Sequence, residues 1–146
     1  MAKLNEYMAM VDEYISNLNT VLRGVKSEKE FSSKPEIYYS VLHLLQLSIQ
    51  CLIDMSSRLV SILGARKPKE YSELAEIMYE EGVLDDVERK LFADMIRFRN
   101  LLIHVYAKVS PSLVYKIAKE SAERDIKKIT GKIIRAARAR GYDPKS

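Results

Sequence analysis

The chain has one cysteine, two histidines, five glycines and four prolines among 146 residues. The single Cys51 rules out an intramolecular disulfide, and no basic-then-apolar leader opens the chain, so a reducing, cytoplasmic location is expected. With few Gly and Pro, 47% hydrophobic and 30% charged residues, the composition is neither disordered nor loop-rich. Apolar runs such as Val41 to Leu47 are broken by His43 and Gln46, and none approaches the about 20 residues of a membrane helix. The length fits one domain, residues 1–146.

Scarce histidine narrows the chemistry further. His43 and His104 fall in different segments, and no His-x-x-x-His, Cys-x-x-Cys or Glu-x-x-His pair is present, so no metal site is expected. There is no Gly-rich phosphate loop. Cys51 and His43 are eight apart, roughly 12 Å along a helix, which excludes direct thiol activation. Both are read as structural, Cys51 as a small core residue.

What is present is helical periodicity. Leu4, Met8, Val11, Ile15, Leu18 and Leu22 recur at spacings of four and three, and Gly24 suits the helix end. Lys26 to Lys34 reads as a polar connection, with Ser33 and Glu36 at capping-box spacing and Pro35 in the first turn of the next helix. That helix runs from about Pro35 to Leu63, with Ile37, Val41, Leu44, Leu45, Leu52, Met55, Leu59 and Ile62 as core, and Gly64 and Pro68 stop it.

Ser72 can cap a short helix, Glu73 to Glu81, ended by Gly82, and Asp85 with Glu88 forms a capping box ahead of a fourth helix. Ser110-Pro111 then breaks the pattern. A fifth helix, about Ser112 to Arg140, turns Ile117, Ile126, Ile129, Ile133 and Ala137 inward and ends at Gly141. No segment alternates with period two, so the fold expected is an all-α, up-and-down bundle of about five helices. Bundles host unrelated functions, so function has to come from a site.

The chemistry concentrates in Met95-Ile96-Arg97-Phe98-Arg99-Asn100-Leu101-Leu102-Ile103-His104-Val105-Tyr106. Unpaired Arg and His buried beside leucines would cost several kcal/mol, so a polar cleft or interface must take them. Around a helix Arg99 and Tyr106 diverge by about 20°, but Arg99 and His104 by about 140°. A distorted last turn, long side chains across a wide groove, or a second subunit could unite them, and we favour a two-fold dimer in which one Arg99 approaches the partner's His104.

Such a cleft suits phosphate chemistry. Guanidinium grips phosphoryl oxygens and stabilises a charged transition state, while histidine moves a proton near neutral pH. This suffices for metal-free RNA cleavage in which the ribose 2′-hydroxyl is the nucleophile. Arg99 and His104 are then the catalytic candidates, Asn100 and Tyr106 position the substrate, Arg97 is a second clamp, and no cofactor is required. Asp54 could orient His104 or Arg99, or remain a solvated residue. A capping or interface network is the alternative use of the same residues.

At this motif the sequence resembles the HEPN superfamily. Arg99-Asn100-x-x-x-His104-x-Tyr106 matches the Arg-x4-His-x-Tyr form of HepT-type toxins of prokaryotic toxin–antitoxin pairs, and the similarity spans most of the chain, including a long second helix with Gln46, Gln50 and Asp54. The resemblance implies a HEPN-like homodimer with the motif at its interface, metal-independent endoribonuclease activity, and a minimal nucleotidyltransferase antitoxin. That partner would silence the toxin by transferring AMP to Tyr106, which places bulk and negative charge in an anion cleft. The rival function is a non-catalytic nucleotide-binding or accessory subunit that docks a nucleotidyltransferase.

Charge distribution adds an RNA surface. From Arg124 to Ser146 there are eight basic and two acidic residues, a local +6 in a chain whose net charge is only +4. Lys127, Lys128, Lys132, Arg135 and Arg138 are its candidate RNA contacts. The polar loop Arg66 to Glu70 could meet either RNA or the antitoxin.

Overall fold

The computed structural model describes residues 3–104 and 109–145. Helix α1 (Leu4–Arg23) lies along α3 (Pro35–Ile62), the central rod, which also carries α4 (Glu73–Glu80), α5 (Asp86–His104) and the C-terminal helices. The last rod is α6 (Pro111–Lys116), a π-turn (Ile117–Ser121) and α7 (Ala122–Ala139) in succession. No strand occurs among the described residues, and no helix there is long and apolar enough to cross a membrane.

The expected α1 stripe is buried at Leu4, Val11, Ile15, Leu18 and Leu22, with Met8 half-buried. It meets Val41, Leu45, Leu52, Met55 and Leu59 of α3 in one continuous core that includes Ile126, Ile129, Ile133 and Ala137 of α7. Ile37, Leu44, Ile62 and Ile117 sit at its margin, half-buried. Cys51 is in this core, and burial pushes its thiol up to about 11.

Three local expectations are corrected. The connection Lys26 to Lys34 contains a helix, α2 (Glu28–Ser33), because Ser27 accepts the Glu30 N–H at 3.1 Å and Phe31 is buried. Ser33 and Glu36 form no capping box: the Ser33 hydroxyl donates to the Glu30 carbonyl, and Lys34 occupies the cap of α3 ahead of Pro35. Ser72 stands at the start of α4 without a side-chain cap bond, while the Glu73 carboxylate accepts the Lys69 N–H at 3.1 Å.

The box ahead of α5 forms as expected. The Asp85 carboxylate accepts the Glu88 N–H at 2.8 Å, and Glu88 accepts the Asp85 N–H at 2.9 Å. Glu88 is 1% exposed and its second oxygen lies 3.5 Å from Lys132 of α7, so the start of α5 is fixed to the last rod. This anchors the helix that carries the motif.

Candidate active site

Helix α5 stays α-helical through His104. A distorted last turn, one of the three ways of uniting the motif, is therefore absent from its described part, and Arg99 and His104 remain about 140° apart around the axis. Arg99 points toward α3 and His104 lies exposed at the helix end. Tyr106 lies outside the described residues.

Arg99 is half-buried and held on three sides. One terminal nitrogen donates to Gln50 Oε1 at 2.5 Å, the other to Asn100 Oδ1 at 3.0 Å, and the guanidinium carbon sits 5.5 Å from the ring centre of Tyr71. Gln50 in turn donates from Nε2 to Asp54 Oδ1 at 2.9 Å, one helical turn along α3. Asp54 thus acts on Arg99 through Gln50 and makes no direct bond to Arg99 or His104 among the described residues. Arg99 Nε is buried and finds no hydrogen-bond partner there.

The partner chemistry of Arg99 is the distinctive feature. Both hydrogen-bond acceptors are neutral amides, and no carboxylate lies within ion-pair distance among the described residues. Arg89 pairs with Glu76 and Asp86, Arg66 with Glu73 and Glu80, and Arg97 with Asp94. Arg58 of α3 also lacks a carboxylate, but it donates to the Tyr142 hydroxyl at 2.5 Å, and that ring covers it. Arg99 is consequently an oriented cation whose charge is not cancelled by its neighbours, which suits it to a diffusible anion.

Other expected site residues are less engaged. Arg97 is exposed and tied to Asp94 three residues earlier, on the far side of α5 from Arg99. His43, expected to be structural, is exposed and lines a shallow hollow with Tyr39, Leu42, Gln46 and Leu102, about two turns before Gln50 on α3. Among the described residues no group of three or more His, Cys, Asp or Glu side chains is placed to hold a metal.

The basic segment becomes one face of α7. Arg124, Lys128, Arg135 and Arg138 fall within about 80° of one another and opposite the buried isoleucines. Three cations near this surface are paired: Arg124 with Asp125, Lys127 with Glu123, and Lys132 with Glu88. Lys128, Arg135 and Arg138 are exposed and in no ion pair among the described residues.

Two partners of Arg99 were not assigned to it from the sequence, although Gln50 was named with Gln46 and Asp54 in the resemblance. Gln50 is its direct α3 partner, detectable in principle from its position one turn before Asp54. Tyr71 comes from the α3–α4 loop and has no local sequence signal.

Known proteins resemble the chain along nearly its whole length. The family model described as Ribonuclease HepT-like matches residues 11–133. An Archaeoglobus fulgidus protein, provisionally named an RNase, is 28% identical over 114 residues, covering 78% of this chain and 80% of that protein. Among solved structures, the tri-AMPylated HEPN toxin of Shewanella oneidensis in complex with its MNT antitoxin superposes with a TM-score of 0.81 at 16% identity, over 91% of this chain and 96% of that one. A toxin–antitoxin crystal structure with AMP-PNP gives 0.80 at 15% identity, over 91% and 97%. At such identities the structures establish the shared helical fold, and the family match goes further: the chain belongs to the HepT-like ribonuclease family.

Proposed function

We propose that this chain is a metal-independent endoribonuclease toxin whose active site is a composite cleft between two copies. The observation that carries the reading is Arg99, oriented by Gln50, Asn100 and Tyr71 yet left with its charge. In the proposed reaction Arg99 grips the scissile phosphate. A His104 takes the proton of the ribose 2′-hydroxyl, whose oxygen forms the new bond to phosphorus. The bond to the 5′-oxygen breaks, and that oxygen receives a proton from the second copy's His104. The ends are a 2′,3′-cyclic phosphate and a 5′-hydroxyl, with Asn100 and Tyr106 positioning the substrate and Arg97 a peripheral clamp.

The two-fold dimer is supported by helix geometry, since a straight α5 separates Arg99 from His104 of the same chain. Exposed Leu101, three residues before His104 on α5, and exposed Tyr39, in the hollow that Leu102 also lines, supply apolar area for a partner copy to cover. Lys127, Lys128, Lys132, Arg135 and Arg138 form the proposed RNA surface, of which Lys128, Arg135 and Arg138 are in no ion pair among the described residues. A minimal nucleotidyltransferase is the proposed antitoxin, in keeping with the antitoxin bound to the Shewanella toxin. AMP placed on Tyr106 would set a negative charge where RNA phosphate must bind.

The test is cleavage of single-stranded RNA in chelator, comparing the wild type with Arg99→Ala and His104→Ala and analysing the ends. Loss of cyclic-phosphate ends in both variants is expected. Equal cleavage by all three proteins would overturn the assignment of the site.

A further inference from the structure

We propose that Tyr71 is the base-stacking residue of the Arg99 site, so that the substrate is an RNA single strand with an unpaired base beside the gripped phosphate. The inference rests on the ribonuclease reading above and deepens it to a substrate class and a specificity residue.

One face of the Tyr71 ring is covered by the Arg99 guanidinium, 5.5 Å away, yet the residue is 45% exposed. Nearly half of the residue is therefore open to solvent beside the cation proposed to hold phosphate, and the ring face away from the guanidinium is the surface we assign to the base. A nucleobase laid on that face would complete a base, phenol and guanidinium stack, which joins aromatic stacking to cation–π attraction. A phosphate and its neighbouring base are covalently linked, so a group that holds one should have a surface for the other close by. A duplex would keep its bases stacked on one another and could not use the ring.

The loop that presents Tyr71 is braced, which suits a stacking platform. Arg66 donates to both Glu80 oxygens at 3.0 and 3.1 Å and to Glu73 at 3.2 Å, while Glu73 also accepts the Lys69 N–H. The Tyr71 carbonyl accepts the Leu74 N–H at 3.0 Å, joining the residue to the first turn of α4, whose Leu74, Ala75, Ile77 and Met78 are buried. Lys67 and Lys69 precede the ring, exposed and in no ion pair among the described residues. Cations interleaved with an open aromatic ring form the pattern that tracks a single strand.

A second pair in the same protein supplies the control. Tyr79 lies 4.8 Å from Arg89 and is 43% exposed, but Glu76 and Asp86 neutralise that arginine. Stacking on arginine is common to both tyrosines, and of these two Tyr71 is the one whose arginine meets no carboxylate among the described residues.

The experiment uses the full chain as wild type, Tyr71→Phe, Tyr71→Ala and Tyr79→Ala. The readouts are kcat and KM on an unstructured RNA, and quenching of 2-aminopurine in a non-cleavable 2′-O-methyl single strand. Tyr71→Ala should raise KM about tenfold or more, the scale of one lost base stack, with a smaller change in kcat and loss of quenching. Tyr71→Phe should retain both, and Tyr79→Ala should match the wild type. Wild-type cleavage with no difference in Tyr71→Ala overturns the Tyr71 assignment alone, as does a loss confined to kcat, which would make Tyr71 only a positioning residue for Arg99. Equal loss in Tyr71→Ala and Tyr79→Ala, or an effect of Tyr71→Ala only on binding of a nucleotidyltransferase, also overturns it. A wild type that neither binds nor cleaves RNA overturns the ribonuclease reading and this inference together.

Discussion

Arg89 and Arg99 lie on the same helix, each beneath a tyrosine ring and each with a buried Nε that finds no partner among the described residues. They differ in what their terminal nitrogens meet. Arg89 is bonded to the carboxylates of Glu76 and Asp86 and joins α4 to α5, whereas Arg99 meets the amide oxygens of Gln50 and Asn100. The same geometry is thus used once as a neutral brace and once as an oriented positive charge. An amide fixes a guanidinium nearly as well as a carboxylate does, but it leaves the electrostatic work for a ligand.

Substituting each arginine in turn should break the comparison cleanly. Arg99→Ala should lower RNA cleavage by about 100-fold or more, the scale of removing one preorganised charge-stabilising group, with the helical circular dichroism spectrum retained. Arg89→Ala should leave cleavage at the wild-type level and lower Tm. Arg99→Lys should recover little of the lost rate, because an ammonium cannot reproduce the planar fork that spans Gln50 and Asn100.

The base of α5 gives the next effect in size. Glu88→Ala removes one half of a capping box and leaves Lys132 without its buried partner, which should cost about 2 kcal/mol of stability in urea denaturation. Cleavage per folded molecule should be much less affected than by Arg99→Ala, since the network around Arg99 lies at the other end of the helix. Replacing both Lys128 and Arg135 by Ala should weaken RNA binding and flatten the dependence of log K on log salt by about one to two units, without altering the cleavage ends.

The smallest effect concerns Cys51. Burial raises its thiol from an ordinary 9.0 to about 11. Both folded and unfolded chains keep the proton below about pH 9, and between 9 and 11 the unfolded thiol ionises first, so stability should decline as pH rises through that window. Below it, intact-mass analysis should show no alkylation of the folded protein, and cleavage should survive the reagent.

How much of this was visible in the sequence depends on the distance over which each feature is specified. The box at Asp85 and Glu88 was legible because both partners lie within one turn. The same three-residue spacing at Ser33 and Glu36 misled, since Ser27 and Glu30 form the start of α2 six residues earlier and the Ser33 hydroxyl closes that helix. Apolar periodicity located the rods and the inward residues of α1 and α7, but not the π-turn at Ile117–Ser121 that divides the last rod.

At the candidate site the motif singled out Arg99, and spacing correctly kept His104 on another face of α5. It could not tell that Arg97 would be bound to Asp94 while Arg99 turned to α3, because the two differ only in rotational position against neighbours distant in sequence. Gln50 and Tyr71 reach Arg99 across 49 and 28 positions of chain. Gln50 stood out only through the resemblance and its place one turn before Asp54, and Tyr71 had no local signal, because contacts of that range are created by the bundle.

Arg99 is proposed to act because no carboxylate among the described residues neutralises it. Asn100→Asp tests this most directly, replacing an amide oxygen bonded to Arg99 by a carboxylate oxygen of nearly the same size. Gln50→Glu is less suitable, since it would set a second carboxylate against Asp54. Asn100→Asp should leave Tm unchanged or raised while lowering RNA cleavage at least tenfold and weakening binding of the non-cleavable strand. Wild-type cleavage and binding by that variant would contradict this role of Arg99.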